Sequence, residues 1–103
     1  MTILEKDCRG NWRAEDTYLL DNNRQLTITT NKMFDGSLVT RATVGTLEGK
    51  MVSHMMYQDF AKCIKMVNER CTAKNVAAMQ AIGTGMLDYL KECVRLHYAT
   101  AVV

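Results

Sequence analysis

Two hydrophobic periods follow one another along this chain, and their order limits what it can become. From Thr17 to Tyr57 apolar residues fall in short, partly alternating runs, separated by Asp21-Asn22-Asn23, Asp35-Gly36 and Glu48-Gly49. A period of two belongs to a strand with one covered face, and Asn and Gly tolerate the positive φ of tight turns. From Phe60 onward the apolar residues recur at steps of three and four, the spacing of a helix stripe. Strands followed by helices specify an α+β domain rather than alternating α/β. No proline interrupts either half, and 103 residues suffice for one domain around one modest core.

The pattern predicts about four antiparallel strands within residues 17–57, at 17–20, 24–31, 38–44 and 51–57. Leu26 and Ile28 mark the inward face of the second, and Leu38, Thr40, Ala42 and Val44 that of the third. The fourth is apolar on both sides apart from Ser53 and His54, so its facing stays open. Residues 1–16 read as an irregular lead-in that pins Trp12 against the fold.

A helical hairpin is expected over about 59–98. Asp59 serves as N-cap, and Phe60, Ile64, Val67 and Cys71 form the stripe of a first helix ending near Arg70. Thr72 caps a second, from about Ala73 to Tyr98, whose seam is Val76, Met79, Gly83, Met86, Leu90, Cys93 and His97. At 1.5 Å per residue that helix runs about 39 Å, longer than so small a body can cover. Its seam is therefore the expected interface with a second copy of the chain. Gly83 and Gly85 each cost about 1 kcal/mol of helix propensity, so the helix either packs closely there or bends.

Several function classes are set aside. Thirteen Lys and Arg against eleven Asp and Glu give a net charge of +2, with no basic face for nucleic acid. No apolar run reaches membrane-spanning length, and the start, Met1 to Asp7, lacks the apolar core of a secretory signal, so a cytoplasmic setting is expected. Cys8, Cys63, Cys71 and Cys93 contain no Cys-x-x-Cys, and His54 and His97 lie far apart, so no metal or cofactor is expected. Cys63, Cys71 and Cys93 read as small hydrophobes. No nucleophile elbow, phosphate loop or oriented Cys–His pair occurs, and an enzyme is not expected.

One stretch invites an anion. With Thr72 as N-cap, the amides of Ala73, Lys74 and Asn75 point out of a helix start that Arg70 and Lys74 flank with full charges. A capped helix with two solvated cations is the plainer alternative. Lys32, Thr40 and Arg41 offer a second basic spot unless alternation leaves Lys32 and Arg41 in water, and the late aromatics Tyr89, His97 and Tyr98 offer rings for stacking or packing.

The run Arg24-Gln25-Leu26-Thr27-Ile28-Thr29-Thr30-Asn31-Lys32-Met33-Phe34-Asp35-Gly36-Ser37-Leu38-Val39-Thr40, with Tyr57-Gln58-Asp59-Phe60, Arg70-Cys71-Thr72-Ala73-Lys74 and His97-Tyr98-Ala99, resembles small accessory proteins carried by phages and prophages. It covers about two thirds of the chain. The layout is also similar to that of phage anti-Thoeris proteins, which sequester a cyclic ADP-ribose signal. That resemblance implies a non-enzymatic, homo-oligomeric counter-defence protein of the host cytoplasm, holding a cyclic nucleotide-type ligand between protomers. Arg70 and Lys74 would grip phosphate, Thr72 would order the helix start, and Phe60 or Tyr98 would cover a base. The alternative is an inhibitor that masks a host defence complex, as anti-CRISPR proteins do, and needs no pocket.

Overall fold

The computed structural model describes residues 1–21, 23–46 and 58–100, and there five strands precede two helices. They are β1 (Ile3–Lys6), β2 (Trp12–Leu19), β3 (Arg24–Lys32), β4 (Leu38–Thr46), β5 (Gln58–Val67), α1 (Ala73–Gly85) and α2 (Leu87–Thr100). The sheet is an antiparallel meander in chain order, and the fold is α+β. Asp and Gly set the β3–β4 turn. Asp35 Oδ1 accepts from the Ser37 amide at 2.9 Å and its hydroxyl at 2.6 Å, while Gly36 sits at φ 91°, where a side chain would be strained.

Register aligns the inward residues in rows. Ala14, Asp16 and Tyr18 of β2 lie opposite Thr30, Ile28 and Leu26 of β3, and these in turn face Thr40, Ala42 and Val44 of β4. Both helices cover this face. Leu90 and Val94 of α2 close over Leu26, Ile28, Ala42 and Val44, whereas Val76 and Met79 of α1 pack with Ala14 and Leu38. Burying each of the larger side chains contributes about 1.5–3 kcal/mol.

Between the two clusters lies a buried polar chain. Gln80 of α1 donates from Nε2 to Asp16 Oδ2 at 2.9 Å and to the Ile28 carbonyl at 2.7 Å, and its Oε1 accepts from the Thr30 hydroxyl at 2.8 Å. The Thr30 and Thr40 hydroxyls meet at 2.7 Å. Because Thr30 spends its single proton on Gln80, Thr40 is the donor in that pair. Thr2 closes the chain by donating to both carboxylate oxygens of Asp16. Burial, and after it the negative charge of Asp16, pushes the Tyr18 phenol above its ordinary value.

The differences from the sequence reading have physical causes. Residues 1–16 are not an irregular lead-in but hold β1 and the start of β2. The segment read as a helix to Arg70 is strand β5, whose register against β4 shifts between Thr40 and Arg41. That bulge changes the strand's parity, so Ile64 and Val67 both face the helices, a three-residue step that imitates a helix stripe. Cys63 on this strand is exposed rather than packed. The predicted strand at 51–57 lies outside the described residues.

The long helix is two. Met86 leaves helical geometry at φ −97° and ψ 13°, and its amide turns back to the Gly83 carbonyl at 3.0 Å. Each piece is about 20 Å long, and the body measures 43 × 30 × 26 Å. The seam is covered from within: Val76, Met79, Gly83 and Leu90 are buried against the chain's own sheet, Met86 and Cys93 are half-buried, and only His97 is exposed. The premise that this stripe needs a second copy is thereby overturned.

The two glycines carry opposite expectations. A Cβ on Gly83 would stand 2.9 Å from the γ-methyls of both Ile28 and Thr40, which are anchored on their strands, whereas nothing lies within 4 Å of one on Gly85. Gly85→Ala should gain up to about 1 kcal/mol of helix propensity. Gly83→Ala should lose that and more, because overpacking costs about 1–3 kcal/mol. Urea midpoints of the two variants shifting in the same direction would contradict the close approach of α1 to the sheet.

Candidate functional site

The feature best suited to a ligand lies where the β2–β3 hairpin meets the end of α2. Lys91, Arg95 and Tyr98 fall at steps of four and three, one face of α2. The hairpin is held by the Leu20 amide donating to the Arg24 carbonyl at 2.7 Å, with Asn23 at φ 58°, a conformation Asn tolerates. This turn aims Arg24 at the helix. Its guanidinium carbon stands 3.6 Å from the centroid of the Tyr98 ring, a stacked cation–π contact.

Between hairpin and helix opens a groove of about 590 Å³, within the size range of small-molecule sites. Leu19, Leu20, Val94 and Ala99 give it an apolar lining. Arg24, Lys91 and Arg95 set three cations around it against the single carboxylate of Asp21. Glu92 accepts from Arg95 Nε at 2.9 Å and from Nη2, and this pairing holds the Glu92 carboxyl below its usual range. Nη1 of Arg95 and the ammonium of Lys91 have no ion-pair partner among the described residues. An apolar cleft with surplus positive charge suits a small organic anion.

No family model, curated protein or solved structure matches the chain.

The predicted ligand residues divide between two ends of the sheet. Phe60 and Tyr98 come together through His97, whose ring stands 5.3 Å from Phe60 and 5.0 Å from Tyr98, each edge-on. Tyr98 lines the groove and Phe60 does not. Thr72 is the N-cap of α1, as expected, accepting from the Asn75 amide at 3.1 Å. Lys74 is exposed beside it. Arg70 borders a separate concavity of about 490 Å³ that includes Lys32, Asp35 and Glu69. Two cations there meet two carboxylates, so that concavity has no excess charge for an anion. From Phe60 to Val67 the β5 strand spans roughly 23 Å, which keeps Arg70, Thr72 and Lys74 out of reach of Tyr98. Because residues 60–67 are strand and not helix, a single chain does not bring the five predicted residues together in one site.

The second basic spot also dissolves: Thr40 is buried in the polar chain, Arg41 is exposed on the uncovered face, and Lys32 borders the Arg70 concavity. Sequence reasoning missed Arg24, Lys91 and Arg95. The helical spacing of Lys91, Arg95 and Tyr98 was an available signal; the approach of Arg24 depends on tertiary structure and left none. Among the described residues no group of His, Cys, Asp and Glu is placed to hold a metal ion, and no helix is long and apolar enough to cross a membrane.

Proposed function

We propose that the protein is a non-enzymatic binding module for a small, ring-bearing organic anion of the nucleotide class, held in the groove between the β2–β3 hairpin and α2. The observation that carries this reading is the Arg24–Tyr98 stack at 3.6 Å, beside a lining with three cations and one carboxylate. A guanidinium plane backed by an aromatic ring is a platform on which a base stacks. Lys91 and the uncommitted nitrogen of Arg95 then supply charge-assisted hydrogen bonds to phosphate oxygens. The groove lining holds no Ser, Thr, Cys or His, which favours retention of the ligand over its conversion. The resemblance to phage signal-sequestering proteins supplies a setting, counter-defence by removal of a cyclic nucleotide signal. Contact between copies through the Val76 to His97 seam is not part of this reading, since the chain's own sheet already buries most of it.

Calorimetric titration with cyclic AMP, cyclic GMP, AMP, ADP-ribose and cyclic ADP-ribose is the test. Saturable binding of at least one is expected. Arg24→Ala and Lys91→Ala should each weaken it by about tenfold or more, the loss of one charge-assisted contact. Silence across the panel, or affinity untouched by both substitutions, contradicts the assignment.

A further inference from the structure

The two edges of the sheet are unlike. β1 closes one side with four residues, whereas β5 forms the other with ten, and among the described residues β5 pairs only with β4. Its outward amides and carbonyls are thus a row of donors and acceptors without a strand partner there. On the sheet face away from the helices, β4 and β5 frame a shallow groove of about 340 Å³ that includes Val39, Ala61, Cys63 and Met66, the last 61% exposed.

Charge says what can lie along this edge. Lys62 and Lys65 stand opposite the buried Ala42 and Thr40 and so lie on the helix side of β5, Arg41 lies on the groove side opposite Cys63, and none of the three has an ion-pair partner among the described residues. Lys62 Nζ lies 5.9 Å from the centroid of the Tyr89 ring of α2, a contact that supplies no countercharge. Within the groove the Asp35 carboxylate, kept ionised by the Ser37 hydrogen bonds, offsets Arg41, so the surplus positive charge of this edge is that of Lys62 and Lys65. A second copy would bring the same cations to the same edge, so like edges repel.

We propose that β5 is a docking edge for an extended acidic segment of another protein, which adds to the sheet as a further strand. Main-chain hydrogen bonds to the regular stretch Phe60–Cys63 supply affinity, and apolar side chains of every second residue enter the groove while the Asp or Glu side chains between them lie on the other side of the sheet and meet Lys62 and Lys65. The bulge beyond Cys63 limits the added strand to a short one. This edge is on the opposite side of the molecule's sheet order from β1 and does not share lining residues with the Arg24–Tyr98 groove.

Fluorescence anisotropy of the full chain with a labelled peptide of alternating valine and glutamate tests it. Saturable binding is expected, together with none of the alternating valine–lysine counterpart. Two adjacent central N-methyl groups block both hydrogen-bonding edges of the peptide and should weaken it by tenfold or more. The Lys62→Glu, Lys65→Glu double variant, altered at one half-buried and one exposed position, should lose about tenfold as well. No saturation at millimolar peptide, equal binding of the N-methylated form, or indifference to the charge reversal would overturn the proposal. So would light scattering in which the chain alone pairs through this edge and an N-methylated peptide leaves the pairing intact.

Discussion

Replacing Leu90 by lysine is expected to unfold the protein rather than to separate copies of it. Leu90 is fully buried and packs with Leu26, Ile28, Ala42, Val44 and Val94. Truncating a leucine in such a place costs about 2–5 kcal/mol through lost burial and the cavity left behind. A lysine adds an ammonium group with no carboxylate in that cluster, and a buried unpaired charge costs more than the truncation does. Against a total stability of about 5–15 kcal/mol for a domain of this size, the sum is enough to abolish folding. Far-ultraviolet circular dichroism should lose its helical signal in Leu90→Lys, and Leu90→Ala should stay folded with a urea midpoint well below that of the parent. A folded Leu90→Lys protein of reduced mass would return the seam to the role of an interface.

Removing the Gln80 amide should be nearly as damaging, although the replacement is apolar. Gln80 is 1% exposed and supplies both of its N–H groups and its carbonyl to buried partners. In Gln80→Leu the Asp16 carboxylate, 5% exposed, keeps only the Thr2 hydroxyl, and Thr30 loses its acceptor. Stripping a buried ionised group of a principal donor costs about 3–5 kcal/mol. Gln80→Glu gives the companion test. Its carboxyl would stand where Nε2 now lies 2.9 Å from Asp16, and two carboxylates that close cannot both ionise. Folding then raises the pair's pKa above the unfolded value, so the variant is most stable at low pH and loses stability as pH rises through the folded pKa. Urea midpoints compared at about pH 5 and pH 8 should fall in Gln80→Glu by much more than in the parent; parallel changes would mean that the two side chains do not meet.

This buried chain also explains what the sequence hid. β3 and β4 were legible because Leu26, Ile28, Ala42 and Val44 alternate cleanly with polar neighbours. β2 was not, since its inward positions are Ala14 and Asp16, one small and one charged. A strand whose buried aspartate is satisfied from a distant helix shows no hydrophobic period. β5 was misread because a bulge gives a strand the step of three that marks a helix. Six of the seven seam residues of the helical half are buried or half-buried, but an apolar stripe does not say what covers it. Gly83 carried that information only through a contact with Ile28 and Thr40 that local sequence cannot express. At the candidate site Tyr98 was legible as an aromatic late in a helix. Its partner Arg24 reads as an ordinary strand opening until the hairpin and the helix end are brought together.

The groove reading is tested most directly by following backbone amide resonances during titration with ADP-ribose. The account predicts shifts concentrated in residues 19–24 and 91–99, saturating together and absent in Arg24→Ala. Shifts gathered instead around residues 68–75, or no shifts at millimolar ligand, would contradict it.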